Sequence, residues 1–125
     1  MTDDERIKAL TRNMLRKKLY VLLSTPRVAA EQLKPFLAAH LEYMIGLEKR
    51  GIVFASGPLG DAEGPPSGHG LTILRAPDAA AAHALAEADP FFVNGLREFE
   101  LKEWTVMEGT LSLKINLSDQ TVELA

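Results

Sequence analysis

The chain has 125 residues, 46% apolar and 25% charged, with a formal net charge of -3 and no cysteine; that is one domain's length, an ordinary globular balance and enough chain to build its own core. Without thiols there are no disulfides, thiolate nucleophiles or thiolate metal sites, and an acidic chain with no run of five like charges lacks the basic patch that nucleic-acid and membrane-surface partners require. No stretch approaches the ~18 consecutive apolar residues that span a bilayer, and Met1-Thr2-Asp3-Asp4-Glu5 has the wrong composition for a signal peptide, so a cytoplasmic protein is expected.

Thr2-x-x-Glu5 has capping-box spacing, and Ile7, Leu10 and Met14 follow at helical intervals, which predicts an amphipathic helix over 3–16. Arg16, Lys17 and Lys18 at its end read as favourable charge at a helix C-terminus. Leu19 to Leu23 is a short apolar run stopped by Ser24-Thr25-Pro26, a buried strand. Residues 29–50 carry the strongest helical pattern, closed by Lys49, Arg50 and Gly51. Pro35 belongs only in a first turn, so the regular helix is expected from near Lys34. Ile52 to Ala55 reads as a strand closed by Ser56-Gly57-Pro58. Residues 59–70 hold four glycines and two prolines, which marks a loop or wide hairpin connection, and Leu71 to Leu74 is the next strand. Asp78 caps an alanine-rich helix that runs to about Ala88 and stops ahead of Pro90. Phe99 to Met107 alternates as a strand with one irregularity. Leu111, Leu113, Ile115 and Leu117 alternate cleanly, turn at Ser118-Asp119-Gln120 and continue into Val122 and Leu124 as a hairpin.

The order is a helix, then β-α-β-β-α-β, then a hairpin. The central six elements form the split βαβ, or ferredoxin-like, α+β pattern. Such a sheet carries its helices on one face, and a second copy of the chain is the economical cover for the other.

On a helical wheel, Leu33, Phe36, Leu37, Leu41, Tyr43, Met44 and Leu47 share one apolar arc with His40 near its middle. His40 therefore points inward, either as a core histidine bonded to a backbone carbonyl or as a functional group. On the second helix Asp89 continues the inner stripe of Ala82, Leu85 and Ala86. A buried carboxylate there needs a partner. It can be a turn residue bonded to its own backbone, or it can pair with His40, since the two helices of this fold lie side by side. A paired carboxylate orients an imidazole, the side chain best suited to proton transfer near neutral pH. Ser56 and the Gly57 amide, at a strand end, are either an ordinary turn or a hydroxyl and N–H offered to an oxygen of a ligand. His69 falls in the Gly/Pro loop, as a solvent-exposed or lid residue, and His83 toward solvent or the core flank. The three histidines lack the spacing of a metal site, the glycines are not followed by Gly-Lys-Ser/Thr, and Trp104 reads as a packing residue.

Leu37-x-x-His40-x-x-Tyr43, the Gly51 stop, Ala55-Ser56-Gly57-Pro58-Leu59, Asp89-Pro90-Phe91 with Gly95-Leu96, and the closing Glu103-Trp104 together resemble the YCII-related family. The resemblance implies a ferredoxin-like domain over 18–107 that assembles as a dimeric α+β barrel, flanked by an N-terminal helical extension (1–17) and a C-terminal hairpin (108–125). It implies a pocket for a small molecule between helices and sheet, with His40 and Asp89 as the active-site pair. Ser56, Gly57, Pro58, Tyr43 and Phe91 are then the substrate contacts, with no cofactor and no metal. Family members with known chemistry carry out proton transfer or halide elimination on hydroxylated rings. The resulting expectation is a cofactor-free lyase or isomerase acting on a small hydroxylated or anionic metabolite. The alternatives are a non-catalytic ligand-binding or structural homodimer, or an accessory module docked through its hairpin.

Overall fold

The computed structural model describes residues 1–125, the side chain of Pro66 excepted. In chain order the elements are α1 (Asp3–Thr11), β1 (Lys17–Pro26), α2 (Ala30–Lys49), β2 (Val53–Gly60), β3 (Pro66–Leu74), α3 (Ala79–Glu87), α4 (Pro90–Val93), β4 (Arg97–Val106), β5 (Leu113–Asn116) and β6 (Thr121–Leu124). They divide into two compact units, residues 18–105 and residues 1–17 with 106–125.

In the larger unit the sheet order is β2-β3-β1-β4, and β3 runs antiparallel to both β1 and β2. This is the ferredoxin-like arrangement expected from the element order. Its core is built by Leu19, Tyr20 and Leu22 of β1, Ile73 and Leu74 of β3, Leu47 of α2, Ala82 and Ala86 of α3, and Phe91. Each large side chain buried there contributes about 1.5–3 kcal/mol.

Helix α2 starts at Ala30, four residues before the position that Pro35 argued for. The proline sits in the second turn and leaves the Glu31 carbonyl without its usual partner. Glu31 is exposed, so water can take that bond. The other end is a Schellman closure: Gly51, at φ 75, donates to Glu48 O at 2.9 Å, and Ile52 donates to Leu47 O at 2.9 Å. The buried arc of α2 is narrower than the wheel implies. Only Leu47 is fully buried, while Leu37 and Leu41 are 44% and 47% exposed, because this helix roofs a cavity rather than a filled core.

Strand β2 runs through Ser56-Gly57-Pro58 instead of ending there, with Ser56 opposite Thr72, Gly57 opposite Leu71 and Pro58 opposite Gly70. An edge strand tolerates proline, and the register slips on either side, between Val53 and Ala55 and between Pro58 and Gly60, absorb the irregular residues. Strand β3 likewise begins inside the Gly/Pro-rich stretch, which shrinks the loop to 61–65. Asp78 caps α3 as expected, its Oδ1 accepting from Ala81 N–H at 2.8 Å. The one-turn helix α4 has no counterpart in the sequence reading, and β4 begins at Arg97 rather than Phe99.

In the smaller unit α1 stops at Thr11, short of the expected residue 16, and buries none of its side chains. Thr2 Oγ1 accepts from Glu5 N–H at 3.1 Å, as the capping box requires. The chain turns out of the helix at Arg16, φ 53, whose guanidinium donates to the carbonyls of Thr11 at 2.7 Å and Met14 at 3.3 Å. That basic residue thus does satisfy helix-end carbonyls. Leu15 N–H bonds Met107 O at 3.2 Å. β5 and β6 pair antiparallel from Leu113 opposite Leu124 to Asn116 opposite Thr121. Their turn is fastened by Asp119 Oδ1, which accepts from Thr121 N–H at 3.1 Å and Oγ1 at 2.8 Å; those bonds hold the Asp119 carboxyl below its ordinary range. Among the described residues no helix is long and apolar enough to cross a membrane.

Candidate active site

Asp89 ends the loop after α3 and caps α4. Its Oδ1 accepts from Phe91 N–H at 2.9 Å, and its backbone oxygen accepts from Phe92 and Val93 N–H, each at 2.9 Å. Pro90 fills the first helical position, where a missing N–H costs nothing. Gly95, at φ 66, closes the turn by donating to Phe92 O at 3.1 Å, while Leu96 donates to Phe91 O at 2.9 Å. The Asp-Pro-Phe and Gly-Leu pieces are therefore the two ends of one capped helical turn.

That cap leaves the second carboxylate oxygen for α2. Asp89 Oδ2 lies 2.7 Å from His40 Nδ1. The aspartate is 4% exposed, whereas the histidine side chain keeps 23% of its surface open. Phe91 stacks on the imidazole with centroids 4.4 Å apart and planes 24° from parallel. With the carboxylate as acceptor, the Nδ1 proton is held toward Asp89 and Nε2 becomes the atom that can exchange a proton. The ring is fixed along one edge by a charged hydrogen bond and over one face by an aromatic contact.

His40, Asp89 and Phe91 line a cavity of about 1120 Å³ between α2 and the sheet. Apolar side chains of α2 (Leu33, Leu37, Leu41) roof it, and the strands form its floor. Ser56, Gly57 and Pro58 line the same cavity, so the structure brings six of the seven expected site residues together. Their setting differs from expectation: they lie within a paired strand, not at a strand end with free N–H groups, and Ser56 Oγ is 2.7 Å from Thr72 Oγ1. Tyr43 is the seventh. It stands off the cavity and donates its hydroxyl to Leu85 O at 2.5 Å, tying α2 to the end of α3. Burial pushes its phenol up, the Asp89 charge adds to this, and Arg50 partly opposes it.

His69 lies on β3 rather than in a loop, with Nδ1 3.3 Å from Thr25 Oγ1, and contributes to the cavity lining. His83 is exposed outside this cavity, with Nδ1 3.1 Å from Glu87 and its ring edge-on to Phe99. Trp104, expected to pack, is 39% exposed on β4. Among the described residues no group of three or more His, Asp or Glu could hold a metal ion.

Arg97 escaped the sequence reading. It lines the cavity with Nε 2.6 Å from Ser24 Oγ and Nη2 2.6 Å from Gly68 O, and its Cζ lies 5.9 Å from the Phe91 centroid. Burial lowers its proton affinity, with the Asp89 charge acting the other way. The signal was available. Arg97, Phe99 and Leu101 alternate in one phase, and all three are half-buried, so the inward face of β4 begins with a cation.

A model of the YCII-related domain matches residues 18–105. Among solved structures the chain is similar to the 5-chloro-2-hydroxyhydroquinone dehydrochlorinase of Burkholderia phenoliruptrix AC1100 in complex with 2,5-dihydroxybenzoquinone. The two are 25% identical with a TM-score of 0.59, over 70% of this chain and 93% of that one. No curated protein matches the chain.

Proposed function

The chain belongs to the YCII-related family, and from that premise we propose that it is a cofactor-free lyase or isomerase moving a proton on a small hydroxylated or anionic ring compound. The observation that carries this reading is the 2.7 Å contact between His40 Nδ1 and Asp89 Oδ2 in the wall of a cavity that can take such a ring. Asp89 orients the imidazole and stabilises the imidazolium that forms when Nε2 accepts a proton. Ser56 offers its hydroxyl to a substrate oxygen from the cavity wall, and Phe91 keeps the imidazole in plane. The similar structure is, by its name, a dehydrochlorinase of a chlorinated hydroxyhydroquinone. In such an elimination one proton and one halide leave and no electron acceptor is consumed, so one oriented base covers the proton's part of the reaction. The working unit in this reading is a homodimer, the second copy covering the sheet face opposite the helices.

His40→Gln tests the reading. Assayed on chlorinated hydroquinones, it should lose turnover by at least ~10²-fold, the usual weight of a general base, while its thermal melt stays near that of the parent. A variant that keeps its turnover, or one that fails to fold, would show His40 to be a structural core residue instead.

A further inference from the structure

Arg97 is a cation in the cavity wall without a matching anion. Its three hydrogen bonds all go to uncharged oxygens: Nε to Ser24 Oγ at 2.6 Å, and Nη2 to Ser24 O at 3.2 Å and to Gly68 O at 2.6 Å. Among the described residues it takes part in no ion pair, unlike Arg27, which meets Glu98 at 3.2 Å. Nη1 has no partner among them either, and it is not a sealed buried atom. A half-buried charge is costly unless a counter-ion approaches it. Asp89 acts on Arg97 only at a distance, with no hydrogen bond or ion pair joining them among the described residues.

The guanidinium is also well placed. Ser24, Gly68 and Phe91, which surround it, all line the cavity. Phe91 touches both reactive neighbours, with the imidazole 4.4 Å from its centroid and the Arg97 Cζ 5.9 Å from it. A ring compound bound in this cavity therefore has both His40 and Arg97 in the wall around it. We infer that Arg97 binds an acidic oxygen of the substrate, a carboxylate or an ionised ring hydroxyl, and so selects anionic ring compounds over neutral ones.

Charge balance supports this role. If His40 takes the proton of a ring hydroxyl, the O–H bond breaks, an Nε2–H bond forms and the electron pair stays on oxygen. The imidazolium is matched by Asp89, and the new oxyanion by Arg97. This use in the reaction rests on the proposed proton transfer, whereas the preference for an anion does not. A planar fork already fixed by three bonds holds that oxygen with little further ordering.

Calorimetric titration of the full chain at pH 7 with three probes tests the inference: hydroquinone as the neutral ring, 2,5-dihydroxybenzoate as the carboxylate, and 2,5-dihydroxybenzoquinone as the ionised ring hydroxyl. At least one anion should bind tenfold or more tightly than hydroquinone, and whichever anion shows the preference identifies the oxygen recognised. Arg97→Met should abolish the preference, and Arg97→Lys should restore part of it. Equal affinities for all three probes, or a preference that survives in Arg97→Met, overturn the proposal. Arg97 also fastens Ser24 and Gly68, so failure of the methionine variant to fold would reflect those bonds. The parent protein then decides: the Arg97 Nε resonance must shift on titration with the preferred anion, and its failure to move overturns the proposal. His40→Gln should keep the anion preference. Full turnover in His40→Gln with that preference intact would remove the proposed reaction and leave the role of Arg97 standing.

Discussion

Asp89 shows how one carboxylate serves fold and site together. Helical phase directed it inward and left two readings open, a turn residue bonded to its own backbone or a partner for His40. The structure contains both bonds, one on each oxygen. The two contributions separate by substitution. Asp89→Asn keeps an oxygen for Phe91 N–H but turns an N–H₂ toward Nδ1, which forces the imidazole into the other tautomer and places a proton on Nε2, where the base should be. Its melt should stay near the parent's while turnover falls ~10²-fold or more. Asp89→Ala also loses the cap and should cost about 1–3 kcal/mol in denaturant unfolding. If both variants were equally unstable and the asparagine variant equally active, the pair would be purely structural. Arg97 was hidden for a different reason: the strand's apolar alternation was counted from Phe99, and a cation at its first inward position adds nothing to an apolar count.

At the level of elements, the legible boundaries were those where a glycine takes a positive φ or a proline follows a helix. Gly51 ends α2 where expected because its positive φ suits glycine. Helix α4 was invisible to periodicity, being only four residues long; its sequence signature is its caps, Asp89, Pro90 and Gly95. Proline misled twice, in α2 and in β2, since an exposed carbonyl or an edge strand removes the penalty that the rule assumes. Between α2 and α3 the Tyr43 hydroxyl to Leu85 O bond is a tie that carries a pH signature. Its phenol is held above the ordinary 10.0 by burial first and by Asp89 second. A native value above the unfolded one means that this contribution is whole below pH 10 and is lost as pH rises through the native value. Tyr43→Phe should therefore cost about 1 kcal/mol at neutral pH, and unfolding curves of the two proteins should converge above pH 10. A gap that widens with alkalinity would contradict the assignment.

For the whole molecule, β-α-β-β-α-β was readable from the order of apolar runs, and it implies a sheet with helices on one face only. Alternation identifies the two faces. Leu22, Ser24 and Thr72 line the cavity beneath α2, so Val21, Leu23 and Ile73, which are absent from its lining, point the other way, Val21 opposite Ile73. Val21 and Leu23 remain half-exposed, an apolar pair on β1 in the middle of the sheet. A two-fold pairing of copies through this face would bury each of them twice, because a symmetric interface repeats every contact. Light scattering should then give twice the 13.7 kDa chain mass. Leu23→Lys would lose about 1 kcal/mol of burial in each copy, since the side chain is already half-buried in a single chain, enough to weaken the dimer more than ~10-fold by the tenfold-per-1.4 kcal/mol relation. The variant should elute as a folded monomer with its ligand cavity intact. A parent protein that is monomeric at tens of micromolar would refute the pairing, whatever the variant does.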